Sequence, residues 1–160
     1  YRYRRTGTQL APTSGSMGYG FPAAIAAKLH DPTKTVVCLA GDGCFQMTLN
    51  EMSTARQHGA AVITIVANNG RYGTIRMHQE REYPGRVSGT DLCNPDYAAL
   101  ARAYGGHGEL VERQEDLPAA FARAQASGLP AIIELRLDPQ MLTTGQTVEQ
   151  VRAAALLKRA

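Results

Sequence analysis

Cysteine is scarce in this chain. Cys38, Cys44 and Cys93 are the only three, an odd number, and no CxxC pair occurs. This argues against a disulfide framework and against structural zinc, and predicts a reducing, cytoplasmic setting. No apolar stretch approaches the ~18 residues of a membrane span, and no secretory signal is visible, so no membrane association is expected. Charge of one sign is also lacking. A net charge of +3 is too small to argue for nucleic acid. The only basic cluster with interleaved aromatics is Tyr1-Arg2-Tyr3-Arg4-Arg5, which reads as a solvated end. There is no internal repeat and no low-complexity segment. The first residue is Tyr1 rather than Met, so a piece of a longer chain is expected.

At 160 residues, with 44% hydrophobic and 19% charged side chains, a single soluble domain with a real core is predicted over 1–160. The pattern alternates. Residues 17–29 are Ala-rich with helical spacing. Residues 35–40 and 61–67 are continuous apolar runs, as expected of strands buried on both faces. Between them, 46–57 reads as a helix stopping near His58-Gly59. Asn94-Pro95-Asp96 starts a helix through Tyr104, with Pro suited to a first helical position. A short strand around 108–112, a helix over 115–126, a strong strand over 131–137 and a tail helix within 143–160 complete the series. This pattern predicts an α/β fold, three-layered and doubly wound, with a mainly parallel sheet and helices on both faces.

Two strings carry the chemistry. Gly41-Asp42-Gly43 and Asn68-Asn69 are separated by 24 residues, Cys44 to Ala67, and each follows an apolar strand. They therefore share the edge of the sheet where ligands bind in open α/β folds. Asp42 offers a carboxylate and Asn69 an amide oxygen, hard ligands suited to magnesium or calcium. The glycines admit phosphate oxygens close to backbone N–H groups. Residues 70–93 are polar and rich in Gly and Arg, longer than an ordinary connection, and read as a lid loop. A short helical turn is expected at Ile75–Gln79. Arg71, Arg76, Arg81 and Arg86 in this stretch either recognise an anionic substrate or solvate the loop.

The two strings and their spacing resemble the thiamine diphosphate signature. Gly15-Ser16-Met17-Gly18-Tyr19-Gly20-Phe21-Pro22-Ala23-Ala24 is similar to the stretch that precedes it in acetolactate synthases and related 2-oxo acid decarboxylases. The resemblance, from about Gly7 to Leu137, is to the C-terminal, diphosphate-binding domain of such enzymes. It implies thiamine diphosphate and Mg2+ as cofactors. Asp42 and Asn69 would bind the metal through side-chain oxygens, and Arg71 through its backbone carbonyl. Gly41, Gly43 and Cys44 would hold the diphosphate. Arg71, Tyr72, Gly73, Thr74 and Ile75 would line the far wall. The Gly15 carbonyl would meet the aminopyrimidine, beside Ser16, and Met17 would wedge beneath the cofactor to set its ring geometry.

The implied reaction is decarboxylation of a 2-oxo acid and transfer of the acyl-anion equivalent to a second carbonyl. The acidic residue that activates the pyrimidine would come from a pyrimidine-binding domain of the same or a neighbouring subunit, in a homodimer or homotetramer. This chain alone is therefore expected to bind cofactor weakly and not to turn over. Flavin (FAD), present in some relatives, would sit off this chain. Cys44 stands where Ser is common, and Thr74 where acetolactate synthases usually carry Met. The first carboxylate after the Asn pair is Glu80, unlike the pyruvate decarboxylase branch. The Asn-Asn-x-x-x-Gly spacing ending in Gly73 fits acetolactate synthases better. A decarboxylase or lyase of another 2-oxo acid or acyl-CoA is an alternative. So, from other classes, are a metal-phosphate binding module and an oligomerisation module. Among the histidines, His58 reads as a helix-end residue and His30 as structural, and His78, the only one in the lid, reads sooner as a loop residue than as a substrate contact. His107 has no motif around it.

Overall fold

The apolar run after Ala61 forms β2 (Val62–Asn68), inside the sheet between β1 (Val36–Gly41) and β4 (Ala131–Arg136). β3 (His107–Val111) lies beyond β4, giving the order β1-β2-β4-β3 with every pairing parallel. The computed structural model describes residues 2–143 and 145–159. Tyr1 of the basic cluster, and Thr144 and Ala160 of the tail, lie outside the described residues.

β-Branched side chains on β2 point alternately to the two faces, and both faces are covered. On one face lie α1 (Gly20–His30), α2 (Asp42–Gln46), α3 (Met52–Gln57) and α5 (Tyr97–Ala103), enclosing Phe21, Ile25, Phe45, Met52, Val62, Val66, Tyr97 and Ile132. On the other, α6 (Leu117–Ser127) packs Ala120 and Ala124 onto Ile63, Val111 and Ile133. The step from β3 back to β4 reverses direction across the sheet. A constant crossover hand then puts α6 on the opposite face. The architecture is the expected three-layer α/β fold. Among the described residues no helix is long and apolar enough to cross a membrane.

Several local expectations need correction. The first helix begins at Gly20, not at Met17, because Gly18 has a φ of +81° and cannot continue a right-handed helix. β1 is not buried on both faces. It is an edge strand with Val37 and Leu39 exposed at 41% and 74%, since α6, on their face of the sheet, lies over β3, β4 and β2. The helix expected over 46–57 is broken into α2, a single 3-10 turn at Leu49–Glu51 and α3. Thr48 makes the break with φ −139°, and its hydroxyl donates to the Gly18 carbonyl at 2.9 Å. Pro95 is not the first helical residue: Asp96 caps α5 by accepting from the Ala99 N–H at 2.8 Å, and Pro95 precedes the cap. The tail opens with a hairpin, β5 (Met141–Thr143) and β6 (Gln146–Thr147). Thr147 and Gln150 then form a capping box that starts α7 (Val148–Leu157).

The 70–93 stretch is more ordered than a solvated loop. It carries α4 (Gly73–Glu82), and its ends are pinned together by Tyr72 N–H to Thr90 O at 2.9 Å and Leu92 N–H to Gly70 O at 2.8 Å. α7 lies against α4. Glu80, 1% exposed, accepts from Arg152 Nε and Nη2 at 2.7 and 2.6 Å, Arg76 Nε at 2.9 Å and the Gly85 N–H at 2.9 Å. The Arg152 hydrogen bonds above all, against the opposing cost of burial, hold the Glu80 carboxyl near 2 instead of 4.5. A folded-state pKa below the unfolded value stabilises above pH 4.5. That contribution is lost as pH falls from about 4.5 to about 2, and it amounts to about 3 kcal/mol at neutral pH. Acid unfolding monitored by circular dichroism should show this loss in the wild type and lack it in Glu80→Gln, which should already be less stable at pH 7. Superimposable acid transitions with equal neutral stability would refute this role.

Candidate functional site

β1 ends at Gly41 in extended conformation, φ −70° and ψ 154°, and α2 begins at once with Asp42. Gly41 is in register with Ala67, so Asp42 and Asn68 lie side by side at the ends of their strands. A chain of edge-to-face aromatics supports the turn from below: Phe21 to Phe45 at 5.3 Å and Phe45 to Tyr97 at 5.8 Å between centroids. The Tyr97 hydroxyl donates to the Asp42 carbonyl at 3.4 Å. Burial first, and then the Asp42 charge, push the Tyr97 phenol up, so it stays a donor.

Asp42 is buried, 3% exposed. Its Oδ1 accepts from the Gly43 N–H at 2.9 Å. Its Oδ2 accepts from the Gly70 N–H at 2.9 Å and from Asn94 Nδ2 at 2.7 Å. The Asn pair divides its work. Asn68 turns into the sheet, donating to Glu134 Oε1 at 2.8 Å. Asn69 folds over its own loop, its Oδ1 accepting from the Arg71 N–H at 3.2 Å. Gly73 makes room for this: a Cβ there would stand 3.0 Å from Asn69 Nδ2. The Tyr72 ring caps Gly43, where an added Cβ would meet it at 2.4 Å. The loop after the Asn pair thus closes onto the Gly-Asp-Gly turn.

The other expected residues are spread around this centre. Gly15, Ser16 and Met17 lie in an exposed segment before α1, with Gly15 at φ +68° and the Ser16 hydroxyl 2.9 Å from Ser14. Ser16, Tyr19, Gly41 and Cys44 line one groove of about 270 Å³. Met17 is 39% exposed. Thr74 and Ile75 are exposed on α4, Ile75 at 47%. The Arg71 side chain is largely covered, with Nε left without a hydrogen-bond acceptor and 3.9 Å from Asp91 Oδ1.

Arg76 is neither a solvating nor an anion-binding residue, because it is buried on Glu80. Arg86 lies over the Tyr83 ring at 5.7 Å. His58 ends α3 as its C-cap, His107 pairs with Glu109 at 2.9 Å, and His78 is exposed on α4. Burial raises the Cys38 thiol to about 11, an inert core residue.

Sequence reading missed Gln46, Asn94 and Glu134. Asn94 read only as a helix start. The lone carboxylate within the apolar 131–137 run was the one available signal for Glu134.

This donor set fits a magnesium-diphosphate group. Of about four lone-pair positions on a carboxylate, Asp42 has three filled by the chain, leaving one. Asn69 Oδ1 likewise accepts a single N–H. An added Cβ at Gly41 meets nothing within 4 Å, so its backbone is open to approach. Among the described residues no group of three His, Cys, Asp or Glu side chains is placed to hold a metal. A hard cation here would complete its shell with neutral oxygens and phosphate, as magnesium does.

The chain matches the family described as thiamine pyrophosphate enzyme, C-terminal TPP binding domain, over residues 1–135. It is 42% identical to the acetolactate synthase large subunit of Haemophilus influenzae, over 69% of this chain and 20% of that protein. It is 38% identical to the mitochondrial acetolactate synthase catalytic subunit of Saccharomyces cerevisiae, over 79% of this chain and 18% of that protein. In structure it is similar to the thiamine diphosphate-dependent 4-hydroxybenzoylformate decarboxylase of Rhodococcus jostii RHA1. That likeness has a TM-score of 0.74 at 36% identity, over 79% of this chain and 24% of that one. The chain spans about a fifth of the length of the curated relatives it matches. Its buried Asp42 at the strand ends, the Asn69 loop closed over it and the match over residues 1–135 agree: the chain belongs to the thiamine pyrophosphate enzymes, as their C-terminal TPP-binding domain.

Proposed function

We propose that this chain holds magnesium thiamine diphosphate within an acetolactate synthase-like enzyme that decarboxylates a 2-oxo acid and joins the remaining acyl unit to a second carbonyl. The observation that carries the reading is Asp42: one buried carboxylate, oriented by three donors, beside Asn69 at the strand ends. In this reading Asp42, Asn69 and the Arg71 carbonyl ligate Mg2+. Gly41 admits the diphosphate and the Cys44 N–H faces its oxygens, whereas the Gly43 N–H, expected there too, is given to Asp42 Oδ1 and orients that ligand instead. Tyr72, Gly73, Thr74 and Ile75 form the wall on the α4 side. Gly15 gives a carbonyl to the aminopyrimidine, Ser16 borders the groove, and Met17 supports the ring geometry with a flexible, polarizable side chain. The cofactor supplies the carbanion chemistry. The chain contributes anchoring, orientation and, through the 70–93 segment, exclusion of water.

The acid that acts on the pyrimidine belongs to a pyrimidine-binding domain of the same or a neighbouring subunit in a homodimer or homotetramer, and any FAD lies off this chain. The acetolactate synthase relatives favour carboligation. The likeness to a decarboxylase at 36% identity favours a second reading, decarboxylation without carboligation.

Calorimetric titration tests the cofactor assignment. Thiamine diphosphate should bind with magnesium and far more weakly in EDTA, and ADP with magnesium should also bind far more weakly. Equal binding of ADP would replace this reading with a general metal-phosphate module. Carbon dioxide released from pyruvate by this chain alone would overturn the placement of the acid on another domain.

A further inference from the structure

Glu134 is a carboxylate in the middle of β4, 2% exposed, with no place in the cofactor reading above. Its oxygens accept from Asn68 Nδ2 at 2.8 Å and from the Tyr97 N–H at 3.2 Å. A carboxylate only accepts, so Asn68 must turn its NH2 group toward Glu134. The Asn68 Oδ1 then faces the other way, where it receives the Gly70 N–H at 3.1 Å and Asn94 Nδ2 at 2.8 Å. A backbone N–H only donates, so this second anchor agrees with the first. Asn94 must therefore present its NH2 group, and the same nitrogen reaches Asp42 Oδ2 at 2.7 Å. The Asn94 Oδ1 is left for Gln46 Nε2 at 2.7 Å. Each amide in the series has one satisfiable orientation.

We propose that Glu134 is a positioning residue for the divalent cation: through Asn68 and Asn94 it sets the orientation of the Asp42 carboxylate. The proposal rests on the reading of Asp42 as a cation ligand. With Gln at 134, an NH2 group meets either Asn68 Nδ2 or the Tyr97 N–H. If Asn68 flips in response, its NH2 group faces two donors, Gly70 N–H and Asn94 Nδ2. If Asn94 flips in turn, its oxygen faces Asp42 Oδ2. The disturbance travels to the carboxylate although no ligand has been changed. Buried networks of this kind are worth more intact than the sum of their pairs.

The test uses Mn2+ with saturating thiamine diphosphate on the purified protein, at a temperature where all variants are folded. Glu134→Gln and Asn94→Ala should each weaken Mn2+ binding by about 10–100-fold, the usual effect of disturbing groups that orient metal ligands. The double variant should be no weaker than the weaker single, because both act through one path. Glu115→Gln, which breaks an exposed pair with Arg113 away from the relay, is the control and should bind as the wild type does. NMR supplies a readout independent of the ligand. The Asn94 side-chain amide protons should exchange slowly in the wild type and fast in Glu134→Gln, although Asn94 is unchanged. Wild-type Mn2+ affinity in folded Glu134→Gln, or additive losses in the double variant, would overturn the proposal. If the wild type binds no Mn2+ with thiamine diphosphate, the cofactor reading fails. The relay then stands or falls on the amide exchange alone, and Asn94 protection kept in Glu134→Gln overturns it. If Glu134→Gln does not fold, Asn94→Ala carries the test: unchanged Mn2+ affinity there overturns the relay.

Discussion

Replacing Asp42 with alanine should lower the magnesium-dependent affinity for thiamine diphosphate by at least about 100-fold. Two unit charges about 4 Å apart attract by about 4 kcal/mol at an effective dielectric constant of 20, and a divalent ion in direct contact interacts more strongly. Desolvation offsets part of this, and a factor of 100 corresponds to about 2.7 kcal/mol. Asn69 and a main-chain carbonyl are neutral, so no other protein ligand can restore the lost charge. The variant should also melt lower without ligand. The Gly43 N–H loses its acceptor, while the Gly70 N–H and Asn94 Nδ2 each keep only Asn68 Oδ1, and a buried unsatisfied donor costs about 1–3 kcal/mol. Calorimetry with and without magnesium separates the two effects. Whatever weak binding the wild type shows in EDTA should persist in the variant, and only the magnesium increment should vanish. An unchanged increment would remove Asp42 from the cation site.

The second large effect lies away from the ligand. A Cβ at Gly108 would stand 2.0 Å from the Ala98 carbonyl oxygen, 2.7 Å from its carbon and 2.9 Å from its Cα. All three are backbone atoms, so no side-chain rotation relieves the clash. Helix α5 would have to lift off β3. That helix begins with Tyr97, under Asp42, three residues after Asn94. Gly108→Ala should therefore cost upward of about 3 kcal/mol, a fall in Tm of about 10 °C. It should also weaken cofactor binding, because Asn94 moves with the helix. Gly145→Ala, whose new Cβ meets nothing within 4 Å, should leave the melting temperature nearly unchanged. A Gly108→Ala protein melting within a degree of the wild type would refute the tight α5–β3 packing.

Much of the frame could be read from the sequence because it rests on local patterns. The continuous apolar run at 61–67 gives β2, and the two strings that follow apolar runs fall on one edge of the sheet. What could not be read depends on contacts between distant residues. The run at 35–40 has the same composition whether its second face is covered or not. Only the strand order reveals that Leu39 faces outward. The break at Thr48 follows from a hydrogen bond to Gly18, 30 positions earlier. Arg76 looked free to meet an anion until Glu80 drew in both it and Arg152, 72 positions away from Glu80. The relay to Asp42 joins residues 52 and 66 positions apart, Asn94 to Asp42 and Asn68 to Glu134, and no spacing rule links them.

We propose that Asp42, Asn69 and the Arg71 carbonyl hold the cation of thiamine diphosphate. Crystals grown with Mn2+ and thiamine diphosphate, measured for anomalous scattering of manganese, test it most directly. One strong peak should lie in coordination range of those three oxygens and of the diphosphate. A peak elsewhere, or a bound diphosphate with no metal beside Asp42, would overturn this assignment.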